Sequence, residues 1–308
     1  MEASFDAPGL PPGRPSGSLP RVRLELAARD EIDPRWQPES VERVLEEDLG
    51  GRTPARTIDR DERYGYRLYA RHFGLALVSP RGDRVTCAPP GVAAWRWQRF
   101  LVGRVLPWAA VLRGREVFHA SAVRVGDRAI AFVAPTGGGK TSLALRLVLR
   151  GAGFLTDDVL ALELGSDAGL LAHPGSSILS VRPAEKAAIE RGDWRRLGRV
   201  LGSSGKTYVA VERQPDPLPL GAVYFLDWRS GGKPSIETGG VDPAALLGSS
   251  FIAGVDSAAR LSGLLEVCAA IARDVPLFRV HADPAAGSEL LAARLFEHAH
   301  ALEPAWAA

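Results

Sequence analysis

The chain has 308 residues, 46% of them hydrophobic, so it is long enough to bury one large core or two smaller ones. Its 38 basic and 36 acidic residues leave a formal net charge of +2, which gives no electrostatic footprint for nucleic acid or an anionic membrane; neither partner is expected. The longest apolar run, over residues 100–112, is interrupted by Arg104 and Pro107 and falls short of the about 20 residues that a membrane span needs.

The first third of the chain predicts a tail and a small strand-rich region. Residues 1–20 are rich in Pro, Gly and Ser, which predicts a disordered tail. Residues 21–113 are expected to form an N-terminal region whose strands alternate apolar and polar residues, in "RVRLELAA", "YGYRLYARHFGLALVSP" and "RVTCAP". The run "GVAAWRWQRFLVGRVLPWAAVLRG" then predicts a helix that ends at Gly114, with its tryptophans packed in a core.

The middle of the chain predicts a strand, a glycine-rich loop and a helix in direct succession. The β-rich runs "VFHASAVRV" and "RAIAFVA" are joined by Gly126-Asp127, a hairpin signal. The second run leads into "APTGGGKTS", residues Ala134 to Ser142, and the amphipathic run "TSLALRLVLR" follows with Gly151 as its cap. The apolar run "GFLTDDVLALEL" predicts a further strand and completes a βαβ unit.

The remaining elements complete an α/β catalytic domain that we expect over residues 114–302. They are a loop at "HPGSS", a polar helix from about Pro183 to Arg199, strands at "TYVAVE" and "GAVYFLDW", helices at "DPAALLGSSF" and "SAARLSGLLEVCAAIAR", a strand at "PLFRVHA" and a last helix from about Ala285 to His300. Cys87 and Cys268 lie far apart without neighbouring metal ligands. This spacing predicts two buried thiols in a reducing compartment, and a cytoplasmic location is expected.

The glycine-rich loop is the main indication of function. Backbone N–H groups of such a loop, with the N-terminus of the following helix, bind phosphate, and Lys140 and Thr141 are suited to the terminal phosphates and to Mg²⁺. We therefore expect the nucleotide to be held by Pro135, Thr136, Gly137, Gly138, Gly139, Lys140, Thr141 and Ser142. Ala134 stands where the strict P-loop pattern has Gly, which removes backbone freedom but no phosphate-binding N–H group.

Two consecutive carboxylates, Asp157 and Asp158, stand in the apolar run that follows the helix. Carboxylates are costly to bury unpaired, and the Mg²⁺ that accompanies ATP would supply a cation. Strand alternation is expected to point the two side chains to opposite faces. We assign Asp158 with Thr141 to Mg²⁺ and Asp157 to the catalytic base that accepts the hydroxyl proton. The residue pattern leaves the order within the pair open, and a structural salt bridge is the alternative.

Other motifs give weaker signals. The segment "GSSGKT", Gly202 to Thr207, lacks a preceding apolar strand and a following helix, so we do not interpret it as a second P-loop. Asp227 ends the apolar run "AVYFLD" and is a weaker metal candidate, because Trp228 follows instead of Glu. Basic residues from Arg182 to Lys206 are interpreted either as a grip for an anionic group or as a solvated helix face.

The motifs "FHASAVRV", "APTGGGKTSLALRLVLRG" and "FLTDDVLALE", in this order and spacing, resemble the HPr kinase/phosphorylase family, and especially its short HPr-kinase-related members from bacterial biosynthetic gene clusters. The likeness covers about Val117 to Val280. It implies an α/β fold with a P-loop HPr-kinase-like core, a mixed central sheet, and ATP and Mg²⁺ as cofactors. It also implies catalytic roles for Lys140, for the acidic pair and for His119, since the matching histidine of that family lies near the transferring phosphate.

Together these features predict an ATP- and Mg²⁺-dependent kinase that transfers the γ-phosphoryl group to a hydroxyl. The acceptor is expected to be a Ser or Thr of a peptide or protein, including one in a peptide natural-product pathway, or a small metabolite. The alternatives are a nucleotide-binding regulatory or scaffold protein without turnover, and a P-loop ATPase. The sequence leaves open the acceptor, the choice between ATP and GTP, and whether the chain forms a homo-oligomer.

Overall fold

The computed structural model describes residues 1–7, 9–10, 21–33, 36, 41–48, 50, 54–165, 169–190, 197–229, 234–239, 243–250, 257–283 and 287–302. The chain divides into two compact units, Met1–Arg115 with Ile252–Arg260 and Glu116–Phe251 with Leu261–Ala308. Across the described residues, no helix combines the length and apolar composition needed to cross a membrane.

The first unit contains a seven-stranded sheet. Its strands are β1 Glu2–Ala3, β2 Arg23–Leu26, β3 Glu42–Glu47, β4 Arg56–Asp61, β5 Gly65–Ala70, β6 Gly74–Val78 and β7 Arg84–Ala88, in the order β1-β2-β7-β6-β5-β4-β3. Its helices are α1 Arg29–Ile32, α2 Ala94–Phe100 and α3 Leu106–Leu112. Strands β4, β5, β6 and β7 pair in succession as antiparallel hairpins. The alternating apolar runs predict β5, β6 and β7 as strands. The strands β3 and β4 have mostly charged residues, and for this reason they are not evident from an apolar pattern.

The predicted tail differs from the structure at its first residues. Glu2–Ala3 pair in parallel with Arg23 and Leu24. The Phe5 ring lies 5.3 Å from the ring of Trp97, between centroids. This apolar contact gives the first residues a place on the folded unit, which a prediction from average composition overlooks. Residues 8 and 11–20 of the predicted tail lie outside the described residues.

The predicted tryptophan-rich helix forms as one helical run with a π-helical turn at its middle. Leu101–Val105 are π-helical and join α2 to α3. Pro107 has no N–H group to offer the preceding turn, and a wider turn at this point accommodates that loss. Trp97 and Trp108 are buried, so they contribute to packing as predicted.

The second unit is built on a mixed nine-stranded sheet with helices on its faces. The sheet strands are β8 Glu116–Phe118, β9 Ala120–Val125, β10 Arg128–Val133, β11 Gly153–Thr156, β12 Leu160–Leu164, β13 Leu170–His173, β17 Leu218–Trp228, β18 Ser235–Thr238 and β19 Leu277–Ala282. Their order is β11-β9-β10-β17-β13-β12-β8, and β19 pairs with both β17 and β18. The β10–β17 and β17–β19 pairs are parallel, whereas the other pairs are antiparallel. The predicted α/β class with a mixed central sheet is therefore confirmed.

A second, three-stranded sheet and five helices complete this unit. The strands are β14 Ile178–Val181, β15 Gly198–Ser204 and β16 Lys206–Val211, in the order β14-β16-β15. The helices are α4 Lys140–Leu149, α5 Pro183–Glu190, α6 Pro243–Gly248, α7 Ala258–Asp274 and α8 Gly287–Ala301. One face of the large sheet buries Leu143 and Leu147 of α4 with Leu291 and Leu295 of α8. The other face buries Leu264 and Ile271 of α7.

One prediction in this unit is wrong in extent. The polar helix predicted to reach Arg199 spans Pro183–Glu190 in the described residues, and Arg199 lies in β15. The β-branched and small residues of β15 pair with β16, and this pairing outweighs the local helical pattern. The segment "GSSGKT" is thus the turn of a β-hairpin, with Gly205 at a φ of 69°. It has no helix after it, in agreement with the rejection of a second P-loop.

Candidate functional site

The candidate site lies at one edge of the large sheet, where three chain segments meet. β9 lies between β10 and β11 and runs antiparallel to both. Val133 at the end of β10 pairs with Ala120, and Thr156 at the end of β11 pairs with Ala122. The loops that follow β10 and β11 therefore meet the beginning of β9. The two strands of the predicted βαβ unit, β10 and β11, run in the same direction, and β9 lies between them in the sheet.

The glycine loop has the backbone that phosphate binding requires. Gly137 and Gly139 adopt φ angles of 85° and 80°, in the left-handed region that favours glycine. A Cβ atom at Gly138 would lie 2.7 Å from the Cβ of Ala134, so this position also needs glycine. Gly139 is the N-cap of α4 and has no side chain to cap its first turn. The first N–H groups of α4 are consequently available to an anion.

Lys140, the first residue of α4, is buried and turned back over the loop. Its Nζ donates hydrogen bonds to the carbonyl oxygens of Ala134, at 2.8 Å, and Pro135, at 3.3 Å. Burial lowers the pKa of Lys140, while the charges of Asp158 and Asp157 act in the opposite direction. This ammonium group is thus held at the loop by two neutral carbonyls and by the field of the acidic pair.

Asp157 is a buried carboxylate that contacts two hydroxyl groups. Its Oδ1 accepts hydrogen bonds from Ser121 Oγ at 2.7 Å and from Thr141 Oγ1 at 2.9 Å. Burial raises the pKa of Asp157 to about 6, and the charge of Asp158 adds to this shift. Hydrogen bonds from Ser121, Thr141 and the backbone N–H of Ser180 oppose it. Within the described parts of the chain, no Lys, Arg or His side chain forms an ion pair with Asp157.

Asp158 has an unusual backbone conformation, with a φ of 64°. Left-handed φ values are uncommon outside glycine and mark positions that the surrounding structure must hold. The Nδ1 of His119 lies 3.0 Å from the Asp158 carbonyl oxygen and donates to it, because a carbonyl only accepts. β11 ends at Thr156, so the acidic pair belongs to a turn and the expected alternation between faces does not apply. Both carboxylates act on Lys140.

The structure therefore brings together four predicted side chains, those of Lys140, Thr141, Asp157 and Asp158. His119 joins them through its hydrogen bond to the Asp158 carbonyl oxygen. Pro135 to Gly139 form the loop, and Ser142 lies in the first turn of α4. One predicted pairing differs, because Thr141 contacts Asp157 and not Asp158. Asp227 forms ion pairs with Arg229, at 2.7 Å, and with His281, at 3.4 Å, and among the described residues none of its contacts reaches the loop.

Three further residues border the site without having been singled out for it. Ser121 donates a hydrogen bond to Asp157. Its position two residues after His119 in "FHAS" is the sequence feature by which it could have been found. Trp228 donates from Nε1 to the Gly138 carbonyl at 2.8 Å, and its ring faces Gly139. Arg182, noted only as the start of a basic stretch, reaches Gly137. Trp228 and Arg182 come close to the glycine loop through pairing and packing of strands that are distant in sequence. A local sequence pattern does not indicate such contacts.

The donor set fits a magnesium nucleotide better than a metal held by protein alone. No group of three or more His, Cys, Asp or Glu side chains suited to a metal ion occurs in the ranges that the structure describes. Mg²⁺ is commonly bound through one or two carboxylates and the oxygens of a substrate phosphate. Thr141 and a buried carboxylate without an ion-pair partner among the described residues, beside the uncapped first turn of α4, match that requirement.

Comparisons with known proteins give similarity in structure but not in sequence. No protein-family model matches the chain, and no curated protein matches it in sequence. Among solved structures, the chain is similar to the Hpr(Ser) kinase/phosphatase from Coxiella burnetii, with 14% sequence identity and a TM-score of 0.34. The similarity covers 62% of this chain and 95% of that chain.

Proposed function

We propose that this protein binds ATP with Mg²⁺ at the glycine loop and transfers the γ-phosphoryl group to a hydroxyl. The observation that carries the proposal is the hydrogen bond from Thr141 Oγ1 to the buried Asp157, next to the open N-terminus of α4. A buried carboxylate without a cation is costly unless a ligand supplies one. The motif set that resembles the HPr kinase/phosphorylase family supports the same reaction class.

The glycine loop would hold the triphosphate. The N–H groups of Gly137, Gly139 and the first turn of α4 are suited to the phosphate oxygens, and Lys140 adds a positive charge. The Gly138 N–H donates to the Pro135 carbonyl at 2.9 Å and holds the shape of the loop. When the nucleotide binds, Lys140 would exchange its contacts with the Ala134 and Pro135 carbonyls for phosphate oxygens. This exchange is favourable because a charged acceptor binds an ammonium group more strongly than a neutral carbonyl does.

For the acidic pair we propose the opposite order from the sequence-based assignment. Asp157 shares a contact with Thr141, so these two residues are suited to hold Mg²⁺. Bound Mg²⁺ would neutralise charge on the phosphate oxygens. Asp158 is less buried and its carboxylate lies near Lys140, so it would accept the proton of the incoming hydroxyl. Ser121 and His119 would hold the two carboxylates in position through Asp157 Oδ1 and the Asp158 carbonyl.

The acceptor proposed for this site is a Ser or Thr hydroxyl of a peptide or protein, or the hydroxyl of a small metabolite. A peptide of a natural-product pathway belongs to the first class, and a cytoplasmic location would supply the ATP. The turn at Asp157 to Val159 follows β11 at the site, and Asp158 is partly accessible there. A hydroxyl that approaches this edge would meet the base and the triphosphate together.

Incubation with γ-labelled ATP and Mg²⁺ tests the proposal, with and without peptides and metabolites from the host organism. We expect label in an acceptor for the wild type. The Asp158→Asn variant should bind Mg²⁺ and ATP but lose transfer, whereas Asp157→Asn should lose the Mg²⁺ dependence of ATP binding. Binding without transfer to any acceptor would favour a regulatory protein. Phosphate release at full rate without acceptor, unchanged in Asp158→Asn, would indicate an ATPase.

A further inference from the structure

The segment that leads from β14 into α5 runs alongside the site. The backbone N–H of Ser180, in β14, donates to Asp157. Two residues later, Nη2 of Arg182 lies 3.7 Å from the point that a Cβ atom would occupy at Gly137. The guanidinium group of Arg182 therefore lies at the glycine loop, and β14, the strand that precedes it, is hydrogen-bonded to Asp157.

The charge of Arg182 is not neutralised by the residues around it. Arg182 is exposed, and among the described residues it has no ion pair. Glu185, three residues further along, is close enough in sequence to pair with it on the surface of α5. That carboxylate instead binds Arg146 at 2.7 Å and accepts a hydrogen bond from Ser288 at 3.1 Å. The acidic residue of the first turn of α5 is thus committed to other partners.

Two cations therefore converge on one loop. The charge of Arg182 acts on Lys140, and it lowers the pKa of that lysine. Like charges at close range are unfavourable, and they are tolerated where a ligand of opposite charge binds between them. A planar guanidinium group is well matched to phosphate oxygens, which it can bind through two parallel hydrogen bonds.

We propose that Arg182 is a catalytic arginine that binds the γ-phosphoryl oxygens from within the same chain. The inference rests on the proposed function and adds to it a residue that acts on the transferring group. During transfer, the bond between the γ-phosphorus and the β–γ bridging oxygen breaks and its electron pair stays with ADP. A new bond forms from the acceptor hydroxyl oxygen to phosphorus, and the hydroxyl proton moves to the base. Arg182 would stabilise the negative charge on the equatorial oxygens during this step.

Equilibrium binding of three probes to the full chain tests this assignment without knowledge of the acceptor. The probes are ADP, AMP-PNP and ADP with tetrafluoroaluminate, each with Mg²⁺. We expect Arg182→Ala to change the affinity for ADP by less than about twofold, because ADP has no γ-phosphate. Affinity should fall about tenfold for AMP-PNP and about 100-fold for the tetrafluoroaluminate complex, which imitates the transferring group. Arg182→Lys should recover only part of the loss, since it lacks the paired donors.

The control is Arg199→Ala, which removes the same charge from an exposed position on β15. It should leave all three affinities unchanged. If Arg182→Ala lost equal affinity for ADP and AMP-PNP, or lost no affinity for any probe, the role of Arg182 would be overturned and the proposed function would stand. The absence of any loss would point instead to a contact between Arg182 and the acceptor. A wild-type protein that binds none of the probes would overturn the proposed function, and the role of Arg182 with it.

Discussion

Two buried carboxylates, one in each unit, have opposite surroundings. Asp59 in β4 is paired on both oxygens, with Arg43 Nε at Oδ1 and Arg67 Nη2 at Oδ2. Asp157 receives only hydroxyl and backbone donors, and its pKa is raised to about 6. The charge of Asp59 is thus balanced by its own chain, whereas that of Asp157 is not. This difference separates a structural ion pair from the carboxylate for which we propose a cationic ligand.

The largest effect on stability is expected from Asp59. Asp59→Asn would leave Arg43 and Arg67 without their shared carboxylate and should lower the free energy of unfolding by about 3 kcal/mol, near the lower end for a broken buried ion pair. Both arginines are partly exposed, and this limits the loss. Urea unfolding of the variant measures it. Glu42→Gln, which removes a surface contact with Arg60, is the control and should cost less than about 0.5 kcal/mol. A cost below that level for Asp59→Asn would remove the contrast between the two carboxylates.

A second test concerns Lys140, on which the charge of Asp157 acts. Lys140→Met should reduce ATP turnover by about 10²–10³-fold, because a positive charge aimed at the phosphates is lost. The control is Lys206→Met, which alters the same Gly-Lys-Thr letters in the β15–β16 hairpin and should leave turnover within about twofold. Initial rates with saturating ATP and Mg²⁺ provide the measurement. Equal losses in the two variants would mean that the strand-loop-helix context does not distinguish the two lysines.

The pH dependence of stability gives a third test. The folded pKa of Asp157 lies above the ordinary value of 3.8 for an aspartate, so the folded state holds the proton more tightly than the unfolded state. Unfolding free energy should then fall as the pH rises from about 4 to about 6. Without Mg²⁺ and nucleotide, Asp157→Asn should be more stable than wild type by about 1–3 kcal/mol at pH 8, and this gain should vanish near pH 4.

The opposite sign is expected for the ion-paired carboxylate, since Asp59→Asn should lose stability at pH 8. Denaturant unfolding of both variants at pH 4 and pH 8 makes the comparison direct. A loss of stability at pH 8 for Asp157→Asn without ligand would contradict the view that its charge is poorly compensated.

The smallest effect is expected at Trp228. Trp228→Phe keeps a ring against Gly139 but removes the hydrogen bond from Nε1 to the Gly138 carbonyl. The loop should lose about 0.5–1.5 kcal/mol of local stability. Hydrogen exchange at the amides of residues 137–139 should speed up by a corresponding factor of about 2 to 10, with no change in the amides of β5. Unchanged exchange in the loop would mean that the glycine φ angles alone hold its shape.

The local features of the site were predictable from sequence. The strand, the glycine loop and α4 form one uninterrupted stretch, and their order, their φ requirements and the amphipathic spacing of α4 depend on neighbours within a few residues. The buried thiols of Cys87 and Cys268 also follow from local composition. The rejection of the second Gly-Lys-Thr segment needed only the absence of an adjoining helix pattern.

The partners of those local features were decided by the tertiary structure. Insertion of β9 between β10 and β11 gives Asp157 its contact with Ser121, and the turn after β11 puts both carboxylates near Lys140. Trp228 lies 90 residues along the chain from Gly138 and reaches the loop because β17 pairs with β10. Arg182 lies 45 residues from Gly137 and reaches the loop because β14 runs beside Asp157. Sequence patterns reflect interactions between residues that are close in the chain, whereas these contacts depend on strand pairing between distant segments. The sequence therefore determined the loop and its chemistry, and the fold determined which charges surround it.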